Sequence, residues 1–227
     1  MSNSHRNLRW RLAQWLEYRW WMRYLRTKSA DRYLADKRAY WHRILSMLEW
    51  PVVLGERVLD AGCGPAGAFI YLSEKQQVTA IDPLLNSYER LPVFDRSTYR
   101  TVHFVTTTLE NYRCDRPYDT IYCFNAINHV SDWAGSLDTL TAVARPGTRL
   151  LLTSDVHRHR WLLPLFRLLP GDALHPQQHR AEDYRAALRS RGWRIEREEA
   201  LRSERIFEYR AWCCTLTHSS TELPSPV

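Results

Sequence analysis

A glycine-rich loop and two carboxylates hold the residues whose types and spacing could do chemistry. Gly62, Gly64 and Gly67 fit the pattern G-x-G-x-x-G. Such a loop between a strand and a helix lets the backbone approach a ligand closely, although alone it is only a weak sign of a dinucleotide site. Asp60 lies two residues before Gly62, and Asp82 lies twenty residues after it.

The two carboxylates indicate which ligand the loop would hold. A carboxylate at Asp60 would repel a pyrophosphate, but it suits a ligand with a positive ammonium group. Asp82 stands at the predicted end of the second strand, where an acid accepts the ribose hydroxyls. A ligand with a ribose, a cationic amino acid end and no phosphate meets both conditions, and S-adenosylmethionine (SAM) is such a ligand. A nicotinamide dehydrogenase is the rival interpretation, but its Tyr-x-x-x-Lys pair occurs here only upstream, as Tyr33 and Lys37.

Five segments resemble the successive motifs of the class I SAM-dependent methyltransferases, in particular the branch that acts on small molecules. They are VLDAGCGPAG, VTAIDP, LENY, YDTIYCFNAINHV and VARPGTRLLLTSDV, within roughly residues 52–217. The resemblance implies an α/β fold with a doubly wound, mostly parallel seven-stranded sheet. It also implies methyl transfer to an oxygen or nitrogen atom, with release of S-adenosylhomocysteine.

The resemblance also implies a set of cofactor-binding residues at the ends of the first four strands. These are Asp60, Ala61, Gly62, Cys63, Gly64, Asp82, Pro83, Thr108, Leu109, Glu110 and Asn125. The residues up to Gly64 would hold the methionine end, Asp82 the ribose, and Pro83 or Leu84 would pack on the adenine.

The adenine contact departs from the family pattern. Where the family often has an acid that binds the adenine amino group, this chain has Thr108. The Thr108 hydroxyl or the neighbouring Glu110 would take that role, and Leu109 would offer its backbone N–H to the ring. Cys63 is interpreted as a small residue that fits beside the cofactor.

Asn125 and His129 are the candidate catalytic residues. Asn125 ends the fourth strand, where sheets of this class bind ligands. His129 follows in the next loop and is either a general base or a structural residue that packs against Trp133. His175 and His179 have the i, i+4 spacing of a helix, with His157 and His159 nearby, but Pro176 argues against a regular helix across the pair, and no metal site is predicted.

Alternating strand and helix patterns must position these residues. Strands are predicted at 57–60, 78–82, 102–105, 119–125, 148–154, 193–198 and 206–217. Helices are predicted at 6–27, 31–49, 65–74, 136–143 and 181–190, with a further one starting at Pro83. We therefore expect a helical cap over residues 1–50, a methyltransferase domain over 51–218 with a lid-like insertion at 157–180, and a flexible tail at 219–227.

The N-terminal segment carries most of the positive charge. The net charge of the chain is +7, and residues 1–28 contribute seven basic residues and one acid, Glu17, which leaves the rest nearly neutral. The segment either packs its aromatic face over the sheet or the mouth of the site, or contacts an anionic membrane through residues 6–28. Nucleic acid is the less favoured partner because the body has no basic surface of its own.

The remaining composition limits the class of protein. Five cysteines without a C-x-x-C pair indicate reduced thiols, and no apolar run approaches the length of a membrane span. We expect a cytoplasmic enzyme, with peripheral membrane contact as an open alternative. Its acceptor is expected to be a small molecule, and an anionic, lipid- or glycan-linked one is an open alternative. An RNA methyltransferase and a non-catalytic SAM-binding regulator are the alternatives.

Overall fold

The computed structural model describes residues 3–157, 179–204 and 207–217. The α-helices are α1 (Asn3–Leu25), α2 (Ala30–Met47), α3 (Phe69–Leu72), α4 (Leu85–Tyr88), α5 (Trp133–Ala142) and α6 (Ala181–Arg189). The strands are β1 (Arg57–Ala61), β2 (Gln77–Ile81), β3 (His103–Val105), β4 (Tyr118–Phe124), β5 (Ala144–His157), β6 (Trp193–Ser203) and β7 (Phe207–Leu216). Short 3-10 turns cover Arg96–Thr98 and Leu109–Asn111.

The seven strands form one sheet in the order β3-β2-β1-β4-β5-β7-β6. The first five strands run parallel, and β7 runs antiparallel to both β5 and β6. The strand order reverses between β1 and β4, which is the point where sheets of this kind bind ligands beyond their carboxyl ends. The predicted doubly wound, mostly parallel sheet is confirmed.

Both faces of the sheet are covered, as the sequence of β1 requires. Neighbouring residues Val58 and Leu59 point to opposite faces, and both are fully buried. The cap helices and α3 pack on one face around Trp41 and Phe69, and α5 and α6 pack on the other around Leu140.

The N-terminal cap shares its core with the sheet. Leu25 of α1 and Ile44 and Leu45 of α2 are buried in the same cluster as strand residues. Only part of the apolar face expected along α1 packs against the protein. Leu12, Trp15 and Met22 of this helix are about half exposed. None of the described helices combines the length and the apolar character needed to cross a bilayer.

Two predicted helices begin later than expected, and the polar contacts at their starts show why. The helix expected from Pro65 begins only at Phe69, because the Asp60 carboxylate accepts the Phe69 N–H at 2.9 Å and the residues before it follow the loop. The helix expected from Pro83 begins at Leu85, after Asp82 accepts the Leu84 N–H at 2.8 Å. Both carboxylates therefore set where a helix begins.

Two sheet predictions also needed adjustment. The turn expected at residues 145–147 is a bulge inside a longer β5, where the register shifts against β4 and Gly147 has a φ of 89°. Strand β6 continues to Ser203, beyond the expected end at residue 198. Most of the predicted lid-like insertion at 157–180, including His175, lies outside the described residues, as does the predicted tail at 219–227.

Candidate active site

The glycine loop after β1 is held against the end of β2. The backbone N–H groups of Gly62 and Cys63 both donate to the Ile81 carbonyl, at 2.8 and 3.1 Å. Gly62 has a φ of 72°, and a Cβ there would come within 2.2 Å of the Ala126 side chain. Only glycine allows the loop to lie this close to the segment that follows β4.

Gly64 faces open space. Its φ is 59°, and a Cβ at this position would meet no atom within 4 Å. Its N–H donates to the Asp82 carboxylate at 3.0 Å. The loop therefore presents backbone, rather than side chains, to the space beyond the carboxyl ends of β1 and β2.

Asp60 is buried beneath the loop, with 1% of its surface exposed. The Asp60 carboxylate also lies close to Gly67. A Cβ atom at residue 67 would come within 2.7 Å of one Asp60 oxygen, so glycine at this position leaves room for the carboxylate. Burial raises the pKa of Asp60 to about 7, and the nearby Asp82 charge adds to the rise. Asp60 thus organises the loop and the start of α3, a role that sequence reasoning missed.

Asp82 joins two segments of the site. One oxygen accepts from Gly64 and the other from Leu84, which ties the glycine loop to the loop after β2. The side chain is 7% exposed, and burial raises its pKa above the ordinary value although both backbone N–H groups act in the opposite direction. Each carboxylate oxygen can accept a further hydrogen bond from a ligand.

The loop after β3 contributes Thr108, Leu109 and Glu110. One Glu110 oxygen accepts the Ser131 N–H and Oγ at 2.8 Å each, and the Asp132 N–H at 3.0 Å. Glu110 therefore ties this loop to the start of α5. The adenine role expected for Glu110 is untested, but three protein donors already engage this oxygen.

Asn125 lies at the end of β4 in a left-handed conformation, with a φ of 49°. Outside glycine this conformation is tolerated best by Asn and Asp, and it often occurs at functional sites. Its N–H donates to Thr153 of the neighbouring strand, to the carbonyl at 3.1 Å and to Oγ1 at 3.0 Å. The Asn128 amide donates to the Asn125 side-chain oxygen at 3.4 Å.

His129 is half-buried in the loop that follows Asn125. The ring of Trp133, against which His129 was expected to pack, stacks on His179 with 4.0 Å between ring centroids.

These residues surround a cavity of about 850 Å³, near the upper end of the usual range for ligand sites. Its lining includes the predicted Asp60, Gly62, Cys63, Gly64, Asp82, Pro83, Thr108, Leu109, Glu110, Asn125 and His129. Ala61 belongs to the hydrophobic core and does not line the cavity.

A second wall of the cavity was missed by sequence reasoning. It is formed by residues from α2 and from the strands at the far side of the sheet: Lys37, Tyr40, Trp41, Arg43, Asp155, Leu201, Arg202 and Tyr209. Lys37, Tyr40, Trp41 and Ile44 share one helix face, and this spacing was visible in the sequence. No comparable sequence pattern indicated that residues of β5, β6 and β7 would line this wall.

The two walls are connected by a chain of hydrogen bonds. Thr153 Oγ1, which contacts the Asn125 N–H, also lies 2.6 Å from the Tyr209 hydroxyl. Tyr209 in turn contacts the hydroxyl of Tyr40 on the cap. The end of β4 is therefore linked to helix α2.

The cap is fixed directly on the glycine loop. The Trp41 indole N–H donates to the Ala66 carbonyl at 3.1 Å, and its ring packs against Phe124 with 4.7 Å between centroids. On α1, Glu17 accepts from the Tyr88 hydroxyl at 3.3 Å, and Trp10, Gln14, Trp20 and Trp21 also line the cavity. The cap thus closes one side of the cavity.

The arrangement matches a known family. A family model described as a methyltransferase domain matches residues 18–198, which is most of the chain, including part of the cap. The chain belongs to this family of SAM-dependent methyltransferases. The expected family, fold and cofactor are therefore confirmed.

A curated relative of this methyltransferase is the ubiquinone biosynthesis O-methyltransferase of Rickettsia akari. The two are 31% identical over 104 residues, which are 44% of this chain and 38% of the relative. The chain thus spans less than half the length of that relative.

Two solved structures share the fold of this methyltransferase. One is the Burkholderia thailandensis 1,6-didemethyltoxoflavin-N1-methyltransferase with bound 1,6-didemethyltoxoflavin and S-adenosylhomocysteine (TM-score 0.63, 16% identity, 96% of this chain and 92% of that chain). The other is the magnesium protoporphyrin IX methyltransferase of Synechocystis PCC 6803 with bound S-adenosylhomocysteine (TM-score 0.57, 21% identity, 79% and 83%). At these identities the likeness concerns the fold.

Proposed function

We propose that this methyltransferase transfers a methyl group from SAM to an oxygen or nitrogen atom of an anionic small molecule. The observation that carries the proposal is the division of charge within one cavity. Asp60, Asp82 and Glu110 line the side at the glycine loop, whereas on the far side the cations Lys37, Arg43 and Arg202 outnumber the carboxylate of Asp155. An acidic half suits the cationic cofactor, and a basic half suits an anionic acceptor.

The residues at the glycine loop fit the cofactor. Asp82 would accept the ribose hydroxyls, and the buried charge of Asp60 would favour the ammonium group above the loop. The open space at Gly64 leaves room for the methionine end, and the segment Thr108–Leu109 would flank the adenine, with Pro83 packed on the ring. SAM supplies an electrophilic methyl group on a sulfonium, so strong activation of the acceptor is not required.

The main task of this chain is to position the acceptor and exclude water. Well-oriented reactants can gain about 7–11 kcal/mol from positioning alone. Asn125 would orient the reacting end, because its backbone is held by Thr153 and its side chain lies at the cavity. His129 would take the proton that an O–H or N–H acceptor loses when its lone pair forms the bond to carbon.

Similar proteins support a small-molecule acceptor. The Rickettsia akari relative is named for ubiquinone biosynthesis, and the Burkholderia thailandensis structure holds 1,6-didemethyltoxoflavin. Both names point to the metabolism of small molecules, which is compatible with a small acceptor in this cavity.

A screen with labelled SAM tests the proposed function. A metabolite extract is incubated with the protein and SAM carrying a labelled methyl group, and the labelled product is identified.

Once the acceptor is known, His129→Ala should lower kcat by about 10²-fold if His129 is the base, while S-adenosylhomocysteine affinity stays unchanged. A nearly unchanged kcat in this variant would indicate that His129 has a structural role. A protein that binds S-adenosylhomocysteine but labels no extract would instead be a non-catalytic binder, and label found only in RNA would favour the RNA alternative.

The exposed face of α1 supports a second proposal, that the protein contacts an anionic membrane. Leu12, Trp15 and Met22 are about half exposed on this face. They alternate with the exposed residues Arg11, Arg19, Arg23 and Arg26. Exposed apolar and basic side chains on one helix face are typical of interfacial helices. Because other residues of α1 line the cavity, this contact would favour a lipid-linked over a glycan-linked acceptor.

A further inference from the structure

Lys37 is a half-buried cation on the cap wall of the cavity. Its Nζ lies 5.0 Å from the centre of the Tyr40 ring and 5.8 Å from the rings of Tyr33 and Trp41. Across residues 3–157, 179–204 and 207–217, no carboxylate comes within ion-pair distance of this ammonium group. Burial, with no opposing charge, lowers the pKa of Lys37.

Such a position is costly without a ligand. Aromatic faces attract a cation by about 0.5–2 kcal/mol, which only partly replaces the hydration that burial removes. An anion brought to Lys37 would restore the missing partner.

The other cations of this wall differ from Lys37. Arg43 and Arg202 are exposed, and Arg202 pairs with Glu204 at 3.2 Å. An exposed or already paired charge gains less from a bound anion than a desolvated, unpaired one, because solvent screens it. Among the described residues of the wall, Lys37 is therefore the cation best placed to gain from an anionic ligand.

The surroundings of Lys37 also limit the shape of that ligand. Tyr40 and Trp41 lie beside its ammonium group, and Trp20, Trp21 and Phe124 line the same cavity. Aromatic side chains bind flat apolar rings by stacking and edge contacts. Tyr40 also contacts Tyr209, which leads through Thr153 to the end of β4. A ring between these walls would therefore extend from Lys37 toward Asn125.

We propose that Lys37 anchors an anionic oxygen, a carboxylate or an ionised phenol, of a planar aromatic acceptor. This inference rests on the proposed function, because the methylated atom would be on the part of the ring that faces the cofactor half. It names the acceptor class and the residue that selects it.

The test compares matched anionic and neutral probes. Binding of benzoate and benzamide, and of 4-nitrophenolate and nitrobenzene, is measured by calorimetry on protein saturated with S-adenosylhomocysteine. We expect the wild type to bind at least one anion about tenfold or more tightly than its neutral partner, which is the scale of a charge-assisted hydrogen bond. The probe pair that shows the larger preference indicates whether the acceptor carries a carboxylate or a phenolate.

Lys37→Met should bring the ratio of anion affinity to neutral-probe affinity close to one, because methionine keeps the length and the apolar stem of lysine but removes the charge. Arg32→Met is the control, since Arg32 is an exposed cation on the same helix outside the cavity lining. It should keep the wild-type preference.

Unfolding of the ligand-free protein provides an independent readout. Lys37→Met should raise the denaturant midpoint, because it removes a desolvated, unpaired charge. A purely structural lysine would give a lower midpoint. An unchanged anion preference in Lys37→Met, no preference in the wild type, or no binding of any probe in the millimolar range would each overturn the proposal. Failure to bind S-adenosylhomocysteine would instead contradict the proposed function itself.

Discussion

At the scale of single residues, the candidate site depends on carboxylates that have structural roles beside their proposed binding roles. Asp60 and Asp82 each accept backbone N–H groups from the loops around them, and both are almost fully buried. Burial raises the pKa of Asp60 to about 7, so this side chain is partly protonated near neutral pH in the ligand-free protein. A cationic ligand would favour its ionised form.

This coupling predicts a pH dependence of cofactor binding. If the ammonium group of S-adenosylhomocysteine lowers the pKa of Asp60, binding releases protons, and the affinity should rise as pH rises toward 7 and level off above it. The rise should be about tenfold for each unit by which the pKa falls. Calorimetry across this pH range on wild type and Asp60→Asn checks it, and an equally steep rise in the variant would contradict the assignment.

The same shift has the opposite effect on the ligand-free fold. Because the folded-state pKa of Asp60 lies above its ordinary value of 3.8, the native protein binds more protons than the unfolded chain between these values. The contribution of Asp60 to stability is therefore largest at acidic pH and decreases as pH rises toward 7.

At the scale of elements, helix α2 couples the cap to the cofactor loop. Trp41 bonds the Ala66 carbonyl and packs on Phe124, while its neighbours Lys37 and Tyr40 face the acceptor side. One helix therefore contacts both halves of the cavity. An acceptor that moves α2 would also affect the loop proposed to hold the cofactor.

Trp41→Phe should weaken this coupling. Phenylalanine keeps a ring against Phe124 but leaves the Ala66 carbonyl without its donor, which should cost about 1–3 kcal/mol of stability. S-adenosylhomocysteine affinity should also fall, because the glycine loop loses a fixed contact. Denaturant unfolding and calorimetry measure both effects. Trp15→Phe, on the half-exposed face of α1, should change neither; equal behaviour of the two variants would show that the Trp41 bond does not matter.

At the scale of the whole molecule, the distribution of charge is uneven. Most of the net charge of +7 lies in the N-terminal segment, where basic residues alternate with exposed apolar ones on α1. The cavity that this helix helps to line has carboxylates at the glycine loop and more cations than acids on the wall that includes α2. A surface of this kind is suited to an anionic lipid layer beside the opening of the cavity.

Vesicle binding tests this surface. The protein should co-sediment with vesicles that contain phosphatidylglycerol, less with pure phosphatidylcholine, and progressively less as salt increases. Arg19→Glu combined with Arg23→Glu should abolish the binding. Arg116→Glu combined with Arg189→Glu makes the same change in net charge at exposed positions outside α1, and should leave the binding intact. Equal loss in both double variants would indicate a nonspecific charge effect and contradict the proposed contact.

The sequence alone determined the fold class and the cofactor, and it predicted the residues that would bind it. Gly62, Asp60 and Asp82 lie close together along two consecutive strands and loops, so their spacing reports directly on local backbone geometry. It could not show that Asp60 would delay the start of α3, because that depends on where the carboxylate points after packing.

Only the tertiary structure decided the acceptor half. Lys37, Tyr209 and Asn125 are far apart along the chain, and they meet because the cap folds over the sheet and β7 inserts between β5 and β6. Whether Lys37 is solvated or left without a counter-ion is likewise a property of packing, since burial and the identity of neighbours arise from long-range contacts. Local spacing thus identified the cofactor, whereas the surroundings that would select an acceptor exist only in the folded chain.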